Sequence, residues 1–195
     1  MSEKIRKLVT MAIMMAISIV LVFFFRLSLI PVVPFLEYDP ADIPILIGAF
    51  AYGPVAGVIL TVVTSIIQGV TVSAGSGAYG IIMHIIATSV LVLVASGIYR
   101  VKHTKKGAIL GLICGTLAMG LVMMPANHFI TPIFMGLPTE VVDGLLLPGI
   151  LPFNLIKGGI NSVVTFLVYK TVSRHLVHGE SWKKAGHEQV QPNEP

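Results

Sequence analysis

"ADIPILIGAFAYGPVAGVILTVVTSIIQGVTVS", residues 41–73, carries one acid at its start and then no charge at all. At its middle, "YGP" (52–54) reads as a tight turn. Gly53 relieves the strain of reversal, and Pro54 suits the first turn of a following helix. The turn divides the stretch into a short apolar segment, 41–52, and a longer one, 54–73. Whether the short segment crosses a bilayer decides how many spans the chain has and which loops share a face.

The surroundings make the bilayer unavoidable. The 195 residues are 55% hydrophobic and 11% charged, with a mean hydropathy of +0.90, whereas a soluble domain is about 25% charged. No Asp, Glu, Lys or Arg occurs from Ile43 to Tyr99 or from Gly107 to Pro138. Such runs lack the alternation of a transmembrane barrel, so the expected fold is an all-α integral membrane protein. With roughly 20 apolar residues per span, the predicted spans are 8–30, 41–52, 54–73, 80–99, 107–135 and 148–171. The first follows Lys4, Arg6 and Lys7 like a signal peptide. It is too long for one, lacks a convincing cleavage site, and is read as a retained span.

Charge supplies the orientation. Lys4, Arg6 and Lys7 precede span one; Arg100, Lys102, Lys105 and Lys106 join spans four and five; Lys170, Arg174, Lys183 and Lys184 follow span six. With six spans these eleven of the 13 basic residues share one face, and Glu37, Asp39, Asp42, Glu140 and Asp143 lie on the other. The positive-inside rule then makes both termini cytoplasmic. If 41–52 did not cross, the positive loops would fall on opposite sides. Tyr38, Tyr52, Tyr79, Tyr99 and Tyr169 sit near span ends, as an interfacial belt requires. Pro31, Pro34, Pro40 and Pro44 break the helix in the outer connection, and "SAGSGAYG" (73–80) and "GLPTEVVDG" (136–144) read as loops. Residues 1–178 form the six-helix membrane domain; 179–195 is a polar cytoplasmic tail expected to be disordered.

Inside the spans the polar groups are few. "LPGILPFNLIKGGINSVVTFLVYK" (147–170) holds Asn154, Lys157 and Asn161 at i, i+3 and i+7, one helical stripe. Lys157 lies about 13 Å into its segment, where a charge costs at least ~2.5–3.5 kcal/mol. The stripe points to a polar cavity, with an interhelical hydrogen-bond network as the structural alternative. On the cavity reading, removing the ammonium leaves ligand-free stability unchanged or raised. Asn127, with His128 and Thr131, lies between Pro125 and Pro132, whose freed carbonyls allow an irregular helix to line a cavity. His84 is a further candidate, though a lone intramembrane histidine is more often a packing group. Thr61, Thr64, Ser65, Gln68 and Thr71 give span three a mild polar face, and Arg26 is placed to snorkel outward.

Small residues recur as Ala12 and Ala16 on span one and as Gly107, Gly111 and Gly115 on span five. Each stripe permits close helix approach, within the chain or to a separate subunit. There is no GxxxxGK[ST] phosphate loop, no HExxH and no Cys/His cluster, so no ATPase or metal site is expected. Cys114 stands alone and can form no internal disulfide. Ser76 in "GSG" lacks the context of a catalytic serine. A net charge of +4 concentrated at span ends is no nucleic-acid footprint.

Taken together, six hydrophobic spans, the outer "YDPADIP", the turn "YGPVAGV" and above all "GILPFNLIKG" resemble the riboflavin-specific S components of energy-coupling factor (ECF) transporters, over residues 8–175. The resemblance implies a six-helix S-component bundle that captures riboflavin at its outward end without a cofactor. It implies partnership with a membrane T component and two cytoplasmic ATPases. Carried onto matching positions, it makes Asn127, Asn154 and Lys157 ligand-binding, places Leu36 and Glu37 in the loop over the ligand, and makes Ala12 and Ala16 the docking stripe. An acidic Glu37 is a departure from related loops. The polar stripe fits such a ligand: isoalloxazine has one uracil-like edge, the ribityl chain a row of hydroxyls. The alternatives are an S component for another vitamin or flavin analogue, a non-transporting membrane scaffold, and a secondary carrier. The carrier is disfavoured by the absence of repeats and of an intramembrane acid.

Overall fold

The computed structural model describes residues 2–176, with side chains described as far as Tyr169; the predicted tail, 179–195, lies outside the described residues. Helices α1 (Glu3–Phe24), α2 (Asp42–Tyr52), α3 (Pro54–Val70), α4 (Gly77–Val101), α5 (Lys105–Met135), α6 (Thr139–Leu145) and α7 (Leu151–Leu176) follow one another. Two short strands, β1 (Leu27–Ser28) and β2 (Glu37–Tyr38), pair antiparallel between α1 and α2, with Leu27 opposite Tyr38 and Ser28 opposite Glu37. Among the described residues, four helical segments are long and apolar enough to cross a membrane: Glu3–Phe24, Ala74–Val101, Lys105–Met135 and Thr139–Tyr169. The other two apolar helices, α2 and α3, are shorter.

The 11 residues of α2 reach only about 16 Å at 1.5 Å per residue, well short of a bilayer core. Every residue from Asp42 to Phe50 is buried. α1, α3, α4 and α7 all pack against α2, so it lies inside protein and need not match the hydrocarbon thickness. A helix apolar on all sides is stable in such a place, as it is in a bilayer. Gly53 makes the reversal into α3 possible. Its φ of 91° is open to glycine and strained for any other residue, while Pro54 opens α3 at its first turn.

Ile45, Leu46, Leu60, Leu91 and Met119 are fully buried at the centre of the bundle. A second apolar cluster, Val33, Val142, Ile150 and Phe153, fastens the hairpin between α1 and α2 to the α6–α7 region. Val33 fits against Gly149 so closely that a Cβ there would sit 2.5 Å from Val33 Cγ1. The hairpin is therefore anchored as a roof.

Several boundaries differ from the sequence expectation. α1 stops at Phe24, not 30, because the chain enters the hairpin; Ser2 caps its start by accepting from the Ile5 N–H at 3.4 Å. The connection expected at 136–144 shrinks to three residues, since α6 begins at Thr139 and continues through a π-helical turn, Leu146–Ile150, into α7. Pro152 has no N–H for the Pro148 carbonyl, which accounts for the widened turn at that place. Conversely α5 runs unbroken through Pro125 and Pro132, so the expected irregularity lies in the last helix instead. The loop at 73–80 is mostly helical from Ala74 onward.

Candidate ligand-binding site

Beneath the β1–β2 hairpin lies a cavity of about 140 Å³. Phe35, Leu36, Glu37 and Asp39 form its roof; Ser65 and Gln68 of α3, Met83, His84 and Ala87 of α4, Met123 of α5 and Phe153, Asn154 and Lys157 of α7 form its walls. Asn154, Lys157 and Asn161 do share one inward face, as their spacing requires. What they meet was not legible in the spacing.

Lys157 Nζ donates to Asp39 Oδ2 at 2.8 Å, and both side chains are buried. Asn161 is the hub beside them. Its Nδ2 donates to Asp42 Oδ2 at 2.9 Å and to the Asp39 carbonyl at 3.1 Å, while its Oδ1 accepts from the Tyr38 hydroxyl at 2.9 Å. Asp42, fully buried at the start of α2, also accepts from Thr88 Oγ1 at 2.6 Å. Burial, reinforced by Asp39 and Asp42, raises the Tyr38 phenol above its ordinary value of 10.0 and keeps it a donor. Two carboxylates and an ammonium thus satisfy one another out of water, the condition under which buried charge is tolerated.

His84 closes the cluster. Its Nε2 lies 3.5 Å from Asp42 Oδ1 and 3.8 Å from Asp39 Oδ1. Thr88, 3.4 Å away, has already given its proton to Asp42. Nδ1 meets Ser65 Oγ at 2.7 Å.

Two sequence expectations need correction here. Asp39 and Asp42, read from sequence only as acids of the face opposite the basic loops, are buried within the protein, and Asp39 is the direct partner of Lys157. Arg26 does not simply snorkel outward: it lines the cavity, pairs with Glu37 and donates to the Val72 carbonyl at 2.7 Å. The unusual acid at 37 thereby has its own partner across the hairpin.

Of the candidate residues, Leu36, Glu37, His84, Asn154 and Lys157 line the cavity. Asn127 does not. It is fully buried, its Nδ2 donates to the Met123 carbonyl at 2.7 Å, and its Oδ1 accepts from Thr131 at 2.8 Å. Asn154 also bonds within its own helix, to the Ile150 carbonyl at 2.8 Å. His128 pairs with Asp143 at 2.6 Å on an exposed surface. Ala12 and Ala16 lie exposed along α1. Residues not singled out from sequence are Asp39, Asp42, Tyr38 and Thr88. The available signal was a lone intramembrane lysine in need of a counter-ion and two aspartates three apart at the mouth of an apolar run.

Residues 6–169 match the family described as ECF transporter, substrate-specific component. The chain is 32% identical over 178 residues to the riboflavin transporter RibU of Staphylococcus aureus (strain TCH60), covering 88% of this chain and 92% of that one. It is 28% identical over 175 residues to the riboflavin transporter FmnP of Bacillus subtilis (strain 168), covering 85% and 91%. A solved structure titled as the S component of a bacterial ECF transporter superposes with a TM-score of 0.78 at 31% identity, over 90% of this chain and 99% of that one. The match over residues 6–169, together with a shared fold along almost the whole of both chains, makes this chain a member of the substrate-specific component family of ECF transporters.

Proposed function

We infer that this chain is the riboflavin-binding membrane subunit of an ATP-driven ECF importer. The observation that carries the inference is the match, along nearly all of both chains, to proteins named as riboflavin transporters. The cavity chemistry agrees. Leu36, Met83, Ala87 and Phe153 offer apolar faces to a flat ring, and Asn154 and Lys157 offer donors to its polar edge. The Lys157 ammonium has three N–H groups and spends one on Asp39. Asn127 joins such a site only if its amide releases Met123 or Thr131. The cavity is below the roughly 300 Å³ of sites for drug-sized ligands, so riboflavin enters by displacing the hairpin roof. Protein purified from cells grown with riboflavin should be yellow, and titration of flavin-free protein should quench flavin fluorescence. No binding in that titration would overturn the inference and return the alternatives of another vitamin or a scaffold.

The energy for uptake comes from elsewhere, since the sequence has no phosphate loop. The reading assigns it to two cytoplasmic ATPases coupled through a membrane T component, with Ala12 and Ala16 as the docking stripe. Six spans with both termini cytoplasmic complete the reading. Lys7 Nζ lies 5.5 Å from the centre of the Tyr52 ring, and Tyr99 packs edge-on to Tyr169. These contacts support a common face for the start of α1 and the ends of α2, α4 and α7. In a Cys114→Ser background, a cysteine at Glu140 should react with a membrane-impermeant maleimide in intact cells, and one at Lys102 only after lysis. Labelling of Lys102→Cys from outside would reject this topology.

A further inference from the structure

Among the described residues, four buried side-chain polar atoms have no hydrogen-bond partner: Thr64 Oγ1, Gln68 Oε1, Ser89 Oγ and Thr165 Oγ1. Gln68 alone of these lines the cavity. Its side chain is buried at 7% exposure, and its Nε2 donates to Ser73 Oγ at 3.4 Å. An amide carbonyl buried without a donor costs free energy, so its retention against a cavity calls for a donor that arrives from outside. Turning the amide over would only leave the other end unpaired, because Ser73 can donate or accept.

The wall that holds Gln68 differs in kind from the wall that holds Lys157. α3 packs on α1, α2 and α4, whereas α7 packs on α2 and α5, so the two wall elements have different neighbours. The α7 wall carries an amide and an ammonium; the α3 side presents the neutral side chains of Ser65, Gln68 and, just past the helix, Ser73, with the Arg26 guanidinium held nearby by Glu37 and the Val72 carbonyl. Ser73 Oγ accepts from Gln68 and keeps its own proton to give. An unpaired carbonyl beside a hydroxyl matches a neutral group that donates and accepts at once. On the riboflavin reading, a hydroxyl of the ribityl chain is such a group.

We propose that Gln68 is a specificity-determining residue that hydrogen-bonds a hydroxyl of the ligand's polyol chain, through its unpaired carbonyl oxygen at the α3 wall of the cavity. The proposal rests on the riboflavin reading above and deepens it. It assigns the ring's polar edge to the α7 wall and the ribityl chain to the α3 wall. Discrimination between flavins with and without that chain then resides in Gln68, on an element that the polar stripe does not include.

The test compares riboflavin with lumiflavin, which has the same ring with a methyl group in place of ribityl. Each is titrated against purified, flavin-free wild-type protein and Gln68→Leu, with a ligand-free melting curve for both. Gln68→Leu should weaken riboflavin by roughly 3- to 10-fold, the loss of one hydrogen bond, and leave lumiflavin within about twofold. Its ligand-free melting temperature should hold or rise, because the substitution removes an unpaired buried carbonyl. Gln68→Met, closer in shape, repeats the comparison if the leucine variant folds poorly. Unchanged riboflavin affinity, or equal losses for both flavins, would overturn the proposal. So would a melting temperature lowered in both variants with the flavin preference intact, which is the signature of a purely structural Gln68–Ser73 bond. Wild-type protein that binds neither flavin would instead remove the riboflavin reading on which the proposal rests.

Discussion

Lys157→Met is expected to destabilise the ligand-free protein by about 3–5 kcal/mol, the usual consequence of removing one partner from a buried ion pair. The sign is opposite to the sequence-based expectation, in which loss of an unpaired intramembrane charge relieves a cost of at least ~2.5 kcal/mol. The reversal comes from Asp39 and Asp42. With the ammonium gone, two buried carboxylates share only neutral donors and His84. Asp39→Asn should also destabilise, by leaving Lys157 without its partner at 2.8 Å. The double variant Lys157→Met, Asp39→Asn should recover a large part of the sum, since residues joined by a direct bond do not act additively. Riboflavin affinity should follow a different rule. Lys157 also lines the cavity, and losing a charged donor to ligand is worth roughly 10- to 150-fold; the double variant should not regain it. Urea unfolding and riboflavin titration on all four proteins separate the two roles. Full additivity in stability would reject the ion pair, and an unaltered affinity would reject Lys157 as a ligand donor.

How far the sequence could be read depended on the range of the interaction. The helical segments were legible because each follows from apolar length and local breakers: the 52–54 turn and the proline-rich connection before α2. The shared face of Asn154, Lys157 and Asn161 was legible for the same reason, being a property of one helix. What they touch was not, because Asp39 and Lys157 are 118 residues apart in the chain. Acids beside prolines at a span mouth look solvated in one dimension, and only the buried course of α2 draws Asp42 inward. Asn127 shows the opposite failure. An amide within a span suggests a ligand, yet in this helix its donor and acceptor are taken up by residues four positions away on either side. The π-helical turn before α7 escaped because two prolines in α5 looked equally able to disrupt a helix.

The small-residue stripes give the second large effect, because they are alike in sequence and unlike in place. Gly111 stands where a Cβ would come 2.5 Å from the Ala95 carbonyl oxygen, and at Gly115 the distance to the Leu91 carbonyl would be 2.7 Å. Both are backbone atoms of α4, which cannot turn aside as a side chain can. Gly111→Val should therefore force α4 and α5 apart and cost about 3 kcal/mol or more, read as loss of folded protein and of riboflavin binding together. Ala12 and Ala16 meet nothing comparable. They are exposed on α1, whose buried face is instead Met11, Met14, Ser18 and Val22. A small exposed stripe within a membrane either faces lipid, where added bulk is harmless, or receives another helix, where bulk prevents approach. Ala16→Trp should accordingly leave melting temperature and riboflavin affinity unchanged while lowering uptake in cells more than roughly tenfold, the scale of a lost interface anchor. Co-purification of the T component from the same cells should fall in step. Normal uptake by Ala16→Trp would place that face against lipid, and loss of binding in the isolated protein would make it a packing face like that of α5. If both outcomes hold, the glycines of α5 receive α4 and the alanines of α1 receive a partner's helix.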